Sequence, residues 1–440
     1  MTAGKQRIRC LTRSNPLKLA ALGIVLSAIA AAAQAQAEAT NPGPDEMRLI
    51  QSFGHWPPPA SSLRDMSNRV SGKPAAISLG QTLFFDGRLS GGNGLSCATC
   101  HQPTRTLSDG RDRAEGGGAQ KPRLDRNTPT LWNVATGYWY GWDGGSDSLW
   151  SFAIRPIQHP LEMGATSRHA ANLVAKDQAL SCRYRQAFGV NAPASPDDKA
   201  AQSILVNLAK ALGAYMETLV SGPSAFDEWR NALARNDLSA AARYPADARR
   251  GFAIFAGRGQ CSVCHFGPNF SNGEFHDIGI PYSVAPGRVD PGRHGGIRLV
   301  RSDPYNRLGA FSDDATRASG NRTRHVADNH ATFGQFKVPS LRNVELTAPY
   351  MHNGSLATLR DVVRHYSELN EERLHQDGEA LLKPLHLAEQ EIDDLVAFLR
   401  SLTSRTFPDV NPALDECRPE RADARRSPRN GHLRASTSGK

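Results

Sequence analysis

Long apolar runs are almost missing from this 440-residue chain. The one that stands out, Leu19 to Ala33, is short for a bilayer-spanning helix, which takes roughly 20 residues. Alternating stretches of β-branched and aromatic residues are scarce as well, which argues against a large sheet and predicts a mostly α-helical protein. Positive charge is in excess overall, 52 Lys and Arg against 43 Asp and Glu, yet the body of the chain lacks it. Residues 1 to 37 hold five basic residues and no acid, and residues 418 to 440 hold seven against Glu420 and Asp423. Subtracting these two ends from the formal +9 leaves a body near −1, which excludes a basic nucleic-acid groove as the default reading. The 39% hydrophobic and 22% charged composition is that of a globular protein with length enough for two or three domains.

The two ends have their own meanings. A basic start, the apolar run, and the small-residue stretch Ala33-Gln34-Ala35-Gln36-Ala37 make residues 1–37 a secretory signal peptide with an A-x-A type cleavage region. Cleavage leaves no membrane anchor and predicts an exported, periplasmic protein. Residues 418–440 are rich in Arg, Ser, Pro and Gly and almost free of large apolar side chains, so they are expected to form a disordered basic tail.

Of seven cysteines, Cys10 leaves with the leader, and four fall in two copies of one pattern. Cys97-Ala98-Thr99-Cys100-His101 and Cys261-Ser262-Val263-Cys264-His265 are both C-x-x-C-H, the attachment signal for c-type haem. Two thiols at this spacing add to the two vinyl groups of one haem, and the adjacent imidazole can take the proximal position on iron. A Cys₄ zinc site or a redox dithiol would leave His101 and His265 unexplained. Two covalent haem c groups are therefore expected. Cys182 and Cys417 remain, and could form a disulfide in an oxidising compartment.

Each motif follows an apolar helix-like stretch, Gly80 to Phe84 and Gly251 to Phe255, a weak internal repeat. A helical segment around Ile204 to Leu219 lies between Asn191–Asp198 and Gly222–Pro245, and the domain boundary is placed in this region. Between Tyr282 and Asn329 the chain is rich in Gly, Arg, Asp and Pro and reads as a long loop or insertion. Ile392, Leu395, Val396, Leu399 and Leu402 at helical spacing predict an amphipathic closing helix over 388–403. The expected architecture is thus small helical domains organised around haem, not a large packed core.

From Pro74 to Thr403 the chain resembles the bacterial di-haem cytochrome c peroxidase and MauG superfamily. The strings that carry the likeness are Leu83-Phe84-Phe85-Asp86, Arg126 to Asn133, Trp142-Asp143-Gly144, Leu161-Glu162-Met163-Gly164, Val338 to Asn343 and Thr347 to Gly354. The resemblance implies two cytochrome c-like domains, 38–225 around haem 1 and 226–417 around haem 2, with calcium at their interface. It implies hydrogen peroxide as oxidant and a protein electron donor: a cytochrome c, a cupredoxin, or a dedicated protein substrate.

The resemblance also assigns residues. Glu162 becomes the distal acid/base, a role that suits a partly desolvated carboxylate, and Trp142 the aromatic relay between the haems, in preference to nearby Trp139 and Trp150. Asn127, Thr347 and Pro349 match the calcium ligands, whose hard oxygens suit that ion. Tyr366 aligns with the sixth ligand of haem 2, with Met351, His352 and His365 as rivals; Thr358-Leu359-Arg360-Asp361 resembles a capping box that opens its helix. Residues 102 to 126 contain no histidine, where classical peroxidases carry one that caps haem 1, so haem 1 is expected to be five-coordinate. That absence and Tyr366 both point to the MauG-like or MbnH-like branch. The competing class is a non-catalytic di-haem electron carrier with both irons six-coordinate.

Overall fold

The computed structural model describes residues 42–281, 283–373, 381–414 and 417. The leader 1–37 and the tail 418–440 lie outside the described residues. The fold is mostly α-helical, as expected; among the described residues its strands are two short antiparallel pairs, Phe275–His276 with Phe336–Lys337, and Ser283–Ala285 with Arg288–Val289. Among the described residues no helix is long and apolar enough to cross a membrane.

Two helix crossings organise the molecule, and they are built alike. The helix Pro74–Phe85 begins with Pro at its first position, where a missing N–H costs nothing. It packs on Asp198–Met216, whose N-cap Asp197 accepts from the Ala200 amide at 2.7 Å. They meet at Gly80, where a Cβ would lie 2.0 Å from the Ala211 carbonyl oxygen and 2.8 Å from Tyr215 Cβ. In the second half, Ala246–Ala256 crosses the closing helix Glu389–Ser401 at Gly251, where a Cβ would lie 1.9 Å from the Asp394 carbonyl oxygen and 2.8 Å from Phe398 Cβ. In both cases the first helix of the pair precedes a C-x-x-C-H motif, across the 3-10 turn Gly87–Leu89 in the first half and a short loop in the second. The weak repeat in the sequence is thus a repeat of helix packing.

Each crossing has its own apolar core. The first gathers Leu79, Leu83, Trp150, Ile154, Leu208 and Leu212; the second gathers Phe226, Trp229, Phe252, Phe255, Phe270 and Phe398. Ile50 and Phe53, from the early helix Pro44–Ser52, belong to the second core. Phe53 sits 4.9 Å from the Phe270 ring and 5.7 Å from Phe226. These cores are larger than the sequence suggested, because aromatic residues spread thinly along the chain converge in space.

Gly222–Pro245 carries a helix, Ala225–Ala234, opened by a capping box in which Ser224 and Asp227 bond reciprocally, and its Phe226, Trp229 and Leu233 enter the second core. One expectation needs correction. The 282–329 stretch is not a plain loop: it contains the helices Arg293–Ser302 and Asn321–His325. The first buries Arg293, Gly296, Ile297 and Val300 on one face, a helical stripe hidden in the sequence by Gly295 and Gly296. Gly296 is required because a Cβ there would lie 2.0 Å from the Asp143 carbonyl oxygen. This segment is anchored by Lys210 Nζ on Asp313 (2.6 Å) and by Arg126, which donates twice to Asp290 (2.6 and 2.7 Å). Cys182 and Cys417 are disulfide-bonded, with Cα atoms 6.0 Å apart, which ties the end of the described chain to the helix Gln178–Phe188.

Candidate active site

The two C-x-x-C-H motifs hold their imidazoles in the same way. His101 Nδ1 lies 3.0 Å from the Leu107 carbonyl oxygen, and His265 Nδ1 lies 2.9 Å from that of Phe270. A carbonyl can only accept, so each Nδ1 carries the proton and each Nε2 presents a lone pair, the state an iron ligand needs. Leu107 and Phe270 both have left-handed backbones, φ 54° and 50°, which aims their carbonyls at the rings. Burial lowers both histidine pKa values, His265 to about 4, and keeps the imidazoles neutral.

Burial pushes the thiols of the four motif cysteines up, Cys97 to about 12 and Cys100 and Cys261 to about 11, the opposite of what a redox dithiol needs. Such thiols are poor redox nucleophiles. The two pairs do not converge either: among the described residues no three of His, Cys, Asp and Glu form a cluster able to hold a metal ion. The chemistry of both sites fits covalent haem, with two thioether-forming sulfurs and one neutral, oriented imidazole in each.

Around His265 opens a cavity of about 690 Å³. Tyr366, on the helix Leu359–Ser367 opened by the Thr358–Asp361 capping box, lines it together with Met351 and His352. Burial first, and then the Cys261 and Cys264 sulfurs, push the Tyr366 phenol up, so it stays neutral unless a cation faces it. The rival His365 lies elsewhere: its Nε2 is 2.7 Å from the Ile278 carbonyl, in a separate groove beside Asp361 and Arg364. His352 is buried with its ring stacked on Phe336 at 3.5 Å.

Trp142 stands in the wall of the same cavity, its indole N–H donating to the Asn127 carbonyl at 2.9 Å. Trp150 is a core residue donating to Ser67 Oγ, and Trp139 is buried beneath the Arg293 guanidinium at 4.2 Å. Asn127 and Pro349 are brought together, the Asn127 amide reaching the Pro349 carbonyl at 3.5 Å and the Arg111 carbonyl at 2.7 Å. Thr347 lines the same cavity, with its hydroxyl turned to Val344. A half-turn of the buried Asn127 amide would present its oxygen beside the Pro349 carbonyl, the donor chemistry calcium takes.

Glu162 lies by the other motif, in a tight turn that follows the helix Leu149–Gln158. The amides of Glu162 and Gly164 both donate to the His159 carbonyl at 3.0 Å, and Gly164 takes φ 59° to close the turn. The Glu162 carbonyl is held by the Asn93 amide at 2.5 Å. Burial raises the Glu162 pKa, while His159 and Arg155 act against that rise. Beside the first motif, burial first and then other charges, that of Glu162 among them, raise the pKa of Cys97 and Cys100.

A second repeat, not read from the sequence, relates the segments beyond the motifs. Asn133 and Asn343 both adopt left-handed backbones (φ 64° and 62°) and both donate to Ser221 Oγ at 3.1 Å. Tyr140 and Tyr350 open equivalent bridges to Ser146 and Leu356. Ser148 and Thr358 cap the helices that follow. Each pair is separated by 210 positions (133 to 343, 140 to 350, 148 to 358). The same offset pairs Trp142 with His352, and Tyr366 with Pro156. The signal was present in Pro129-Thr130-Leu131-Trp132-Asn133 and Pro339-Ser340-Leu341-Arg342-Asn343, but its meaning depends on the caps and bridges downstream.

Comparison with known proteins adds independent observations. The profile of the family described as di-haem cytochrome c peroxidase matches residues 74–235. The methylamine utilization protein MauG of Methylorubrum extorquens is 36% identical over 75% of this chain and 78% of its own length. Cytochrome-c peroxidase IdrP2 of Denitromonas iodatirespirans is 31% identical over 82% of this chain and 90% of its own length. Among solved structures, the diheme peroxidase BthA from Burkholderia thailandensis superposes with a TM-score of 0.60 at 21% identity, covering 76% of this chain and 87% of that one, a likeness of fold.

Proposed function

This chain belongs to the di-haem cytochrome c peroxidase and MauG family, and from that premise we propose an exported, periplasmic peroxidase or MauG-like oxidase that uses hydrogen peroxide and withdraws electrons from a protein donor. His101 and its two cysteines would hold haem 1, and His265, its two cysteines and Tyr366 would hold haem 2. Bound haem supplies the redox-active iron for peroxide cleavage and for electron transfer.

The chain's own residues supply the rest. Glu162 takes a proton from one oxygen of hydrogen peroxide and returns it to the other, which leaves as water. Burial raises its pKa, the direction that helps a carboxyl hold a proton as well as release one. Trp142, fixed through its indole N–H, offers an oxidisable ring beside the haem 2 cavity. Asn127, Thr347 and Pro349 would hold calcium where the segments leading to both sites approach each other. The donor is a cytochrome c, a cupredoxin, or a Trp or Tyr of a dedicated protein substrate.

One observation carries the reading: the repeat that offers Tyr366 on the haem 2 side offers Pro156, which has no donor atom in its side chain, on the haem 1 side. Together with the histidine-free stretch 102–126, this supports one furnished and one open coordination position. A simple electron carrier would need both furnished. Rapid mixing of the haem-loaded protein with peroxide tests it. Glu162→Gln is expected to slow the reaction by about 10² to 10⁴, and a change smaller than threefold would remove Glu162 from the role.

A further inference from the structure

Resting on that reading of Glu162, we infer that His159 is the proton relay that connects the Glu162 carboxyl to solvent. The imidazole Nδ1 lies 3.5 Å from Glu162 Oε1, three residues earlier in the same turn, and the His159 side chain is 47% exposed against 35% for Glu162. The ring is about half exposed and turns Nδ1 toward the carboxyl. Backbone bonds close the turn, the His159 carbonyl accepting from Glu162 and Gly164 and the Met163 amide donating to Pro156, and the Asn93 side-chain amide holds the Glu162 carbonyl. The imidazole is therefore free of any structural duty in the turn.

Stoichiometry requires protons from outside the peroxide. Reducing one hydrogen peroxide to two waters consumes two electrons and two protons. The first water forms from protons peroxide already carries, so Glu162 alone can shuttle them. The second oxygen needs two protons from outside while the donor supplies the two electrons. A histidine passes protons near neutral pH by accepting at one ring nitrogen and donating from the other, here from solvent at Nε2 to Glu162 Oε1 at Nδ1.

The other charged group that acts on the carboxyl is Arg155, on the preceding helix. Across the site, Arg111 and Glu115 pair with each other at 3.2 Å. From the loop packed against the turn, Asn93 contributes a neutral amide bound to the Glu162 carbonyl. Of the groups by the carboxyl, His159 alone has one ring nitrogen that can accept a proton and another that can donate one.

The two steps separate the relay from the role of Glu162 itself. In stopped-flow mixing of the haem-loaded His159→Gln protein, peroxide activation is expected to stay within twofold of wild type. Reductive return to the resting spectrum is expected to slow tenfold or more, and added imidazole should restore it. Glu162→Gln should slow both phases. An infrared carboxyl band, assigned by its loss in Glu162→Gln, should titrate at higher pH in His159→Gln, since the influence of His159 that holds the carboxyl down is gone. Normal reductive return in His159→Gln, or a slowed return that imidazole does not rescue, would overturn the relay. If Glu162→Gln is also silent in both phases, the reading of Glu162 falls with it.

Discussion

Replacing Gly251 by Ala tests the helix crossing that positions haem 2. In an exposed helix this change should stabilise by about 1 kcal/mol, because Gly loses more backbone freedom on folding. Here the new methyl would lie 1.9 Å from the Asp394 carbonyl oxygen and 2.8 Å from Phe398 Cβ, well inside van der Waals contact, so the helices must part by roughly 1 Å or more. Overpacking of this kind costs about 1 to 3 kcal/mol, and the fully buried Phe252, Phe255 and Phe398 would feel the displacement together. The sign therefore reverses. The assay is urea unfolding followed by tryptophan fluorescence, since Trp229, stacked on Tyr244 at 4.5 Å, reports on this core. Gly43→Ala, where nothing lies within 4 Å, is the control and should stay within about 0.5 kcal/mol of wild type. A neutral or stabilising Gly251→Ala would refute the close crossing.

Glu217 predicts a pH dependence of stability. Burial pushes its carboxyl up to about 7, while Ser71 Oγ donates to one oxygen at 2.7 Å and the other oxygen has no partner. A folded pKa above the unfolded one means that the contribution is fully present below about pH 4.5 and lost as pH rises toward 7, up to about 3 kcal/mol. Glu217→Gln should flatten that slope and stabilise the protein at pH 8; an unchanged slope in urea titrations between pH 5 and 8 contradicts the assignment. For calcium, elemental analysis of the purified protein should find about one ion per chain, lost in Asn127→Ala; a calcium-free wild type would dismiss the site.

The haem motifs were legible because covalent attachment demands a fixed short spacing, and the helices because Leu79, Leu83 and Phe84, or Ile392, Leu395 and Leu399, recur on one face. Helix Arg293–Ser302 was not legible: its buried face includes an arginine and a glycine, acceptable only because Arg293 lies over Trp139 and Phe275 and Gly296 meets a backbone carbonyl. Rivals to Tyr366 could not be ranked from sequence, since what removes His365 is the Ile278 carbonyl, 87 residues away. The pairing of Pro156 with Tyr366 needed the shared contacts of Asn133 and Asn343 on Ser221. Long-range contacts of this kind leave little local trace.

Electron paramagnetic resonance of the resting, fully ferric protein tests the central claim most directly. The account predicts one high-spin signal that changes on adding peroxide and one low-spin signal that disappears in Tyr366→Phe. Two low-spin signals, both indifferent to peroxide, would contradict it.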